Sequence, residues 1–148
     1  MTQEEKQLLL KDLCARLPYG VICRQTLISD NYTVDIPLQG ASIDLLNIDM
    51  EEIEIKPYLR PLSSMTEDEK NELNKHYLCI TIGDHIILKY HSEGYWDNDT
   101  ETEFKDYLWL ENWFNEHHFD YRIDPSTGKT LIESNLAIEA PEGMYEKF

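Results

Sequence analysis

The chain has 148 residues and a formal net charge of −16, from 29 acids against 13 Lys and Arg. That length suits one domain and buries roughly 68–70% of the surface exposed by the unfolded chain, enough for a core without staples. The charge keeps the chain soluble and repels nucleic acid, which no basic stripe is present to neutralise, and no apolar run approaches the roughly 18 residues of a membrane span.

Thr2 followed by Glu5 is a capping box, and Leu9, Leu10, Leu13, Cys14 and Leu17 then mark a helical apolar face. Pro18 and Gly20 stop this helix near Leu17. From Val21 the period changes to two, and a second alternating run places Tyr32, Val34, Ile36 and Leu38 on one face. Ser29, Asp30 and Asn31 supply turn chemistry between these runs. A third strand is expected over 43–48 and a fourth through Ile53, Ile55 and Tyr58, with Pro57 and Pro61 placing its end at an edge or outside the sheet.

Thr66 with Glu69 is a second capping box, opening a short helix to about His76. Leu78, Ile80 and Ile82, then Gly83-Asp84, then Ile86, Leu88 and Tyr90 read as a hairpin. A polar, acidic loop over 92–100 leads to a third capping box, Thr100 with Glu103. Behind it, Phe104, Tyr107, Leu108, Leu110, Trp113 and Phe114 form the apolar stripe of a longer helix ending near His118. A turn at 124–128 and a short helix-then-strand over 131–139 complete the chain. The expectation is an α+β domain spanning 1–148. Its mainly antiparallel sheet of about six strands packs with an N-terminal helix, a short middle helix and a longer C-terminal helix.

The negative charge is concentrated. Residues 25–55 carry seven acids and no Lys or Arg, and residues 93–120 carry nine acids against Lys105 alone. Together these stretches hold −7 and −8, or −15 of the −16. Acids near the start of the long helix favour its dipole, whereas acids in strands have low propensity and repel one another. The first stretch therefore asks for a purpose.

Chemistry-bearing motifs are few. Residues 126–130 (Ser-Thr-Gly-Lys-Thr) end like a phosphate-binding loop, but Ile123 stands where the first glycine is required, so a β-turn is expected. Asp97, Asp99 and Glu101 open like a calcium loop, yet Thr102 and Leu108 replace its glycine and its bidentate glutamate. His117 and His118 point about 100° apart on a helix, and their place near its end suits the dipole. Cys14 and Cys79 lie among apolar residues and read as small buried hydrophobes, which with the odd count of three cysteines suits a reducing, cytoplasmic setting. No cofactor, metal or nucleophile motif is present in the sequence.

Four segments, 11–21 (KDLCARLPYGV), 56–65 (KPYLRPLSSM), 113–122 (WFNEHHFDYR) and 136–145 (LAIEAPEGMY), resemble a family of short proteins encoded by gut bacteria and their phages or mobile elements. That family is uncharacterised, so the resemblance implies one domain and no activity or site to carry over. It favours a small protein that modulates a host protein.

The expected function is thus a small acidic interaction protein, an inhibitor or adaptor acting on a basic partner, with nucleic-acid mimicry as its sharper form. Asp44, Asp49, Glu51, Glu52, Glu54, Asp97, Asp99, Glu101 and Glu103 are the candidate partner-binding acids, with Trp109 as an aromatic anchor. The alternatives are a small enzyme with a cleft site, or a structural oligomeric component.

Overall fold

The computed structural model describes residues 2–48, 52–74, 77–82, 86–90 and 100–145, with side chains described outside 45–48, 74–90 and 100–107. The elements are α1 (Gln3–Arg16), a 3-10 turn (Leu17–Tyr19), β1 (Ile22–Leu27), β2 (Tyr32–Pro37), α2 (Gly40–Ile48) and β3 (Ile53–Leu59). A second 3-10 turn (Leu62–Ser64), α3 (Glu67–Asn74), β4 (Tyr77–Ile82), β5 (Ile86–Tyr90), α4 (Thr100–Glu116) and β6 (Ile138–Glu139) follow.

The class is α+β, but the sheet differs from the expected six antiparallel strands. Four strands form a mixed sheet in the order β2-β1-β3-β6, with β6 parallel to β3, while β4 and β5 pair only with each other. The strand expected over 43–48 is helix α2 instead. Ala41, Leu45 and Leu46 are good helix formers, and Ile43 and Leu46, three positions apart, share a helix face but would fall on opposite faces of a strand. Gln39 opens the helix, its carbonyl accepting from the Ser42 and Ile43 amides. The Gly83-Asp84 hairpin turn lies outside the described residues.

Hydrogen-bond alternation explains the prolines. Ile28 N donates to Glu52 O at 2.9 Å, and Leu38 N donates to Val21 O at 2.8 Å. In antiparallel pairs bonded and non-bonded residues alternate, so β1 turns its even-numbered backbone groups to β3 and its odd-numbered ones to β2. By the same parity, Pro37 of β2 and Pro57 of β3 aim their missing N–H away from β1. Neither costs a ladder bond there. Although β3 is interior in the sheet, β6 pairs with it only at Tyr58 and Leu59, beyond Pro57.

Both capping boxes with described side chains form. Thr2 and Glu5 exchange bonds of 2.9 and 3.1 Å, and Thr66 and Glu69 exchange bonds of 2.9 and 3.2 Å. Gly20 ends the first 3-10 turn at φ +68°, a backbone geometry that glycine adopts without strain.

The main core lies between α1, one face of the sheet and the 131–137 turn, with Leu9, Leu13, Val21, Cys23, Ile55 and Leu59 at its centre. The buried side of α1 is not the expected leucine stripe alone. It runs Leu9, Asp12, Leu13, Arg16, and this rotation leaves Cys14 exposed, contrary to its apolar neighbourhood. An acid and a base can occupy that stripe because they satisfy each other. Arg16 Nε donates to Asp12 Oδ2 at 2.7 Å, Arg16 Nη2 donates to Phe119 O at 2.6 Å, and Arg122 Nε donates to Asp12 Oδ1 at 3.1 Å.

A second aromatic core forms where α4 meets the second 3-10 turn, from Leu62, Met65, Leu73, Leu110, Trp113, Phe114 and Phe119. Arg60 crosses it with its guanidinium 4.2 Å from the Phe119 ring centroid. The C-terminal segment straps the other face of the sheet. Tyr145 Oη donates to Tyr58 O at 2.7 Å and accepts from Ile22 N at 3.0 Å, and its ring stacks on His118 with centroids 3.9 Å apart. All four segments quoted above thus meet in the interior through Arg16, Arg60, Phe119 and Tyr145. A Tyr145→Phe variant is expected to lose about 1–2 kcal/mol in denaturant unfolding, because Ile22 N–H and Tyr58 C=O lose that hydroxyl.

Candidate functional site

The acids expected to form a binding face are dispersed. Asp44 is exposed on α2, and Glu52 is exposed just before β3. Glu54 lies beside Lys56, 3.8 Å from its ammonium. Asp49, Glu51, Asp97 and Asp99 lie outside the described residues, and Glu101 and Glu103 are placed on α4 by their backbone only. Asp120, counted in the second acidic stretch, is interior: its carboxylate accepts from Leu131 N at 3.2 Å and Ile132 N at 3.3 Å. Burial pushes its carboxyl up, against hydrogen bonds from Thr130 and Ile132 and the Arg16 charge that pull it down. Trp109 is half-buried and stacks on Trp113 at 6.3 Å, so it belongs to the aromatic core as much as to the surface. Of its neighbours, Leu108 is the one that faces outward.

A different set of acids does converge. A groove of about 430 Å³ between α3 and the end of α4 is lined by Thr66, Asp68, Glu69, Glu72, Glu116 and His117. Segment-by-segment charge counting misses its α3 acids, because residues 56–92 sum to zero and α3 lies among them. The signal available in the sequence was the capping box followed by acids at 68 and 72, one turn apart on a helix face.

One wall of the groove is built from the interior. Glu69 accepts from Arg60 Nη1 at 2.8 Å and from Arg60 Nη2 at 2.7 Å, a bidentate pair with both residues buried. Burial alone would raise the Glu69 carboxyl, but the Arg60 fork, the Thr66 cap and the Arg60 charge together hold it below the usual range. Arg60 also donates to His117 O at 3.3 Å and Ser64 O at 3.2 Å, tying both sides of the groove to one guanidinium.

The other wall carries Glu116 and His117. His117 stacks on Trp113 with centroids 4.2 Å apart, and its Nδ1 lies 2.7 Å from Trp113 O. A carbonyl only accepts, so Nδ1 carries the proton, and Nε2 of the neutral ring is left as an acceptor. Next to it, His118 adopts φ +63° and turns inward. Burial first, then the charges of Arg16 and Arg60, press its pKa down to about 4. It is therefore neutral near pH 7, and it does not complement the helix dipole as its position in the chain suggests.

Two features of the groove acids are locally unfavourable. Asp68 and Glu72 are like charges at i, i+4, and Glu116 is an acid at the negative end of α4, whose last turn holds no base. Among the described residues, none of these three makes a salt bridge. Asp68 alone has a local reason, since the first turn of α3 favours acids. Among the described residues, no three His, Cys, Asp or Glu side chains converge as a metal site would require.

Two further features bear on the sequence expectations. Residues 124–130 form a tight turn, with Asp124 O accepting from Gly128 N at 2.8 Å and Asp124 Oδ1 accepting from Ser126 N at 2.9 Å, as expected for the phosphate-loop-like stretch. No helix among the described residues is long and apolar enough to cross a membrane. No family model, curated protein or solved structure matches the chain.

Proposed function

We propose that the protein is an acidic interaction module that takes a cluster of basic side chains from a partner protein into the α3–α4 groove. The observation that carries this reading is the convergence of Asp68, Glu72 and Glu116, from two helices, in one concavity. Local helix energetics oppose Glu116 and the Asp68–Glu72 juxtaposition, so an incoming Lys or Arg relieves repulsion that the fold otherwise tolerates. The partner's cation also finds the half-buried, planar imidazole of His117 in the groove wall, a surface that suits a guanidinium more than an ammonium.

The net charge of −16 supports the same reading by steering basic partners toward the surface. A mimic of nucleic acid would spread its carboxylates over a broad face, whereas these converge on one hollow. A modulator of a host protein also fits the gut-bacterial and phage setting that the four resembling segments imply. Calorimetric titration of tetra-arginine peptide tests the proposal. The Asp68→Asn, Glu72→Gln, Glu116→Gln triple variant should bind about ten- to a hundredfold more weakly at low ionic strength. Equal affinities would reject the groove as the docking site.

A further inference from the structure

Strand β2 forms one side of the sheet and pairs only with β1 among the described residues. Leu38 N donates to Val21 O, so the even-numbered residues of β2 turn their backbone groups to β1 and the odd-numbered ones turn them outward. The outward N–H and C=O groups of Thr33 and Asp35 make no hydrogen bond among the described residues, and both residues are exposed. This open edge is short and bracketed. Pro37 has no N–H to offer, and Asn31 leaves strand geometry at φ +50°. Along one face of the edge run Tyr32, Val34 and Ile36, with Tyr32 60% exposed and the other two half-buried. On the opposite face Asp35 is already engaged, accepting from Tyr58 Oη at 3.0 Å with Arg24 Nε 3.5 Å away.

We infer that this edge pairs with itself: a second copy of the chain adds its own β2, antiparallel, about a two-fold axis at Val34. Register decides the match. Setting Thr33 opposite Asp35 of the second copy uses both outward residues of each strand and allows about four main-chain hydrogen bonds. Sliding one way sets Thr33 against Thr33 and draws the left-handed Asn31 into the ladder. Sliding the other way sets the two Asp35 carboxylates directly opposite each other, which is destabilising. In the Thr33–Asp35 register Val34 faces Val34, and Tyr32 faces Ile36 of the second copy. The apolar side chains of both strands then form one continuous row, and Tyr32, the most exposed large apolar side chain among the described residues, gains a cover. Because Asp35 is held by Arg24 and Tyr58, the edge calls for no charged occupant. A two-fold contact consumes both edges, so the pair closes as a dimer and does not extend. The net charge of −16 per copy opposes association, so the dimer is weak and salt favours it. The inference does not rest on the basic-partner reading, whose groove binding responds to salt in the opposite direction.

Sedimentation equilibrium of the intact chain at rising protein and salt concentration tests the pairing. A monomer–dimer equilibrium should appear, and its dissociation constant should fall several-fold between about 0.05 and about 0.5 M salt. Thr33→Pro removes half of the inter-strand bonds at an exposed edge position and should weaken the dimer roughly tenfold. Val34→Lys makes each copy less negative, yet it sets two ammonium groups opposite each other at the axis and should also weaken the dimer. Association without a defined register would be strengthened by that change. Val34→Cys supplies a readout that loss of folding cannot mimic. Non-hydrogen-bonded partners have Cα atoms about 4.5 Å apart, within disulfide reach, so mild oxidation should link position 34 to position 34 of the second copy. Asp35→Cys, a diagonal neighbour of its mate at roughly 7–8 Å, should not link. A chain that stays monomeric at about 1 mM in high salt would overturn the inference. So would a dimer that tolerates both Thr33→Pro and Val34→Lys, or one that links equally at positions 34 and 35.

Discussion

Replacing Arg60 with Met should destabilise the protein by about 3–5 kcal/mol, the largest single-residue effect expected here. The guanidinium is 1% exposed, grips both oxygens of Glu69, and lies 4.2 Å from the Phe119 ring centroid. Without it, a carboxylate is left buried and unpaired, which costs far more than the lost contacts. The double variant Arg60→Met, Glu69→Met should recover most of the loss, because no buried charge then remains. It should still fall short of the wild type by about 1 kcal/mol, the worth of the Glu69 side of the α3 capping box. Chemical unfolding of the three variants reads the difference directly. If Arg60→Met and the double variant were equally unstable, the ion pair would not be the reason Arg60 matters. Because Arg60 also holds His117 O and Ser64 O, the same variant should loosen the α3–α4 groove and weaken tetra-arginine binding.

Acidification should destabilise the protein before its carboxylates are protonated. His118 has an ordinary value near 6.5 when unfolded and about 4 when folded. Its folded value is depressed, so the unfolded chain takes up the proton first, and stability falls as pH drops from about 6.5 to about 4. The imidazole is partly exposed, so the loss is on the order of 2 kcal/mol rather than the full difference in affinity for the proton. Glu69 adds to the loss at lower pH: its folded value is lowered, so its contribution is present above 4.5 and disappears as pH falls through the folded value. Asp120 acts the other way. Its folded value is raised, so it favours the folded state most at low pH and softens the decline. Unfolding followed from pH 7 to pH 4 should therefore show a slope that His118→Asn removes, since asparagine tolerates the left-handed backbone and does not titrate. An unchanged slope in that variant would assign the acid sensitivity elsewhere.

Local signals were the most legible part of this fold. Thr2–Glu5 and Thr66–Glu69 state their hydrogen bonds in the sequence, and Gly20 states its turn, because each involves neighbours within a few residues. The strand over 43–48 failed because a short apolar run does not by itself separate strand from helix, and the change of parity between Leu45 and Leu46 fits the helix that forms. The mixed sheet was hidden for a different reason. Strand β6 is two residues long and pairs with a strand nearly 80 positions earlier, and so short a strand carries no periodicity.

The site was harder to read than the fold. Asp12, Glu69 and Asp120 look like surface charge in a linear count, yet each is buried against arginines or backbone amides. Conversely, Asp68, Glu72 and Glu116 lie in regions of little net charge or at a helix end, and only the packing of α3 beside α4 brings them together. A linear tally cannot separate a carboxylate that holds the core from one that faces solvent, because partners such as Arg16 and Arg122 are distant in sequence. Within the second stretch Asp120 is interior while Glu116 faces the groove, so one linear cluster divides between core and surface.

The most direct measurement is the location of a basic probe on the folded protein. Titrating tetra-arginine into isotope-labelled protein should move the NMR signals of residues 66–72 and 116–117 first. The shifts should weaken as salt is raised, because the groove carboxylates are open to solvent and their attraction is screened. They should be lost in the Asp68→Asn, Glu72→Gln, Glu116→Gln variant. Shifts spread evenly over all exposed acids, or persisting in that variant, would contradict a built docking groove and leave the charge as a solubility device alone.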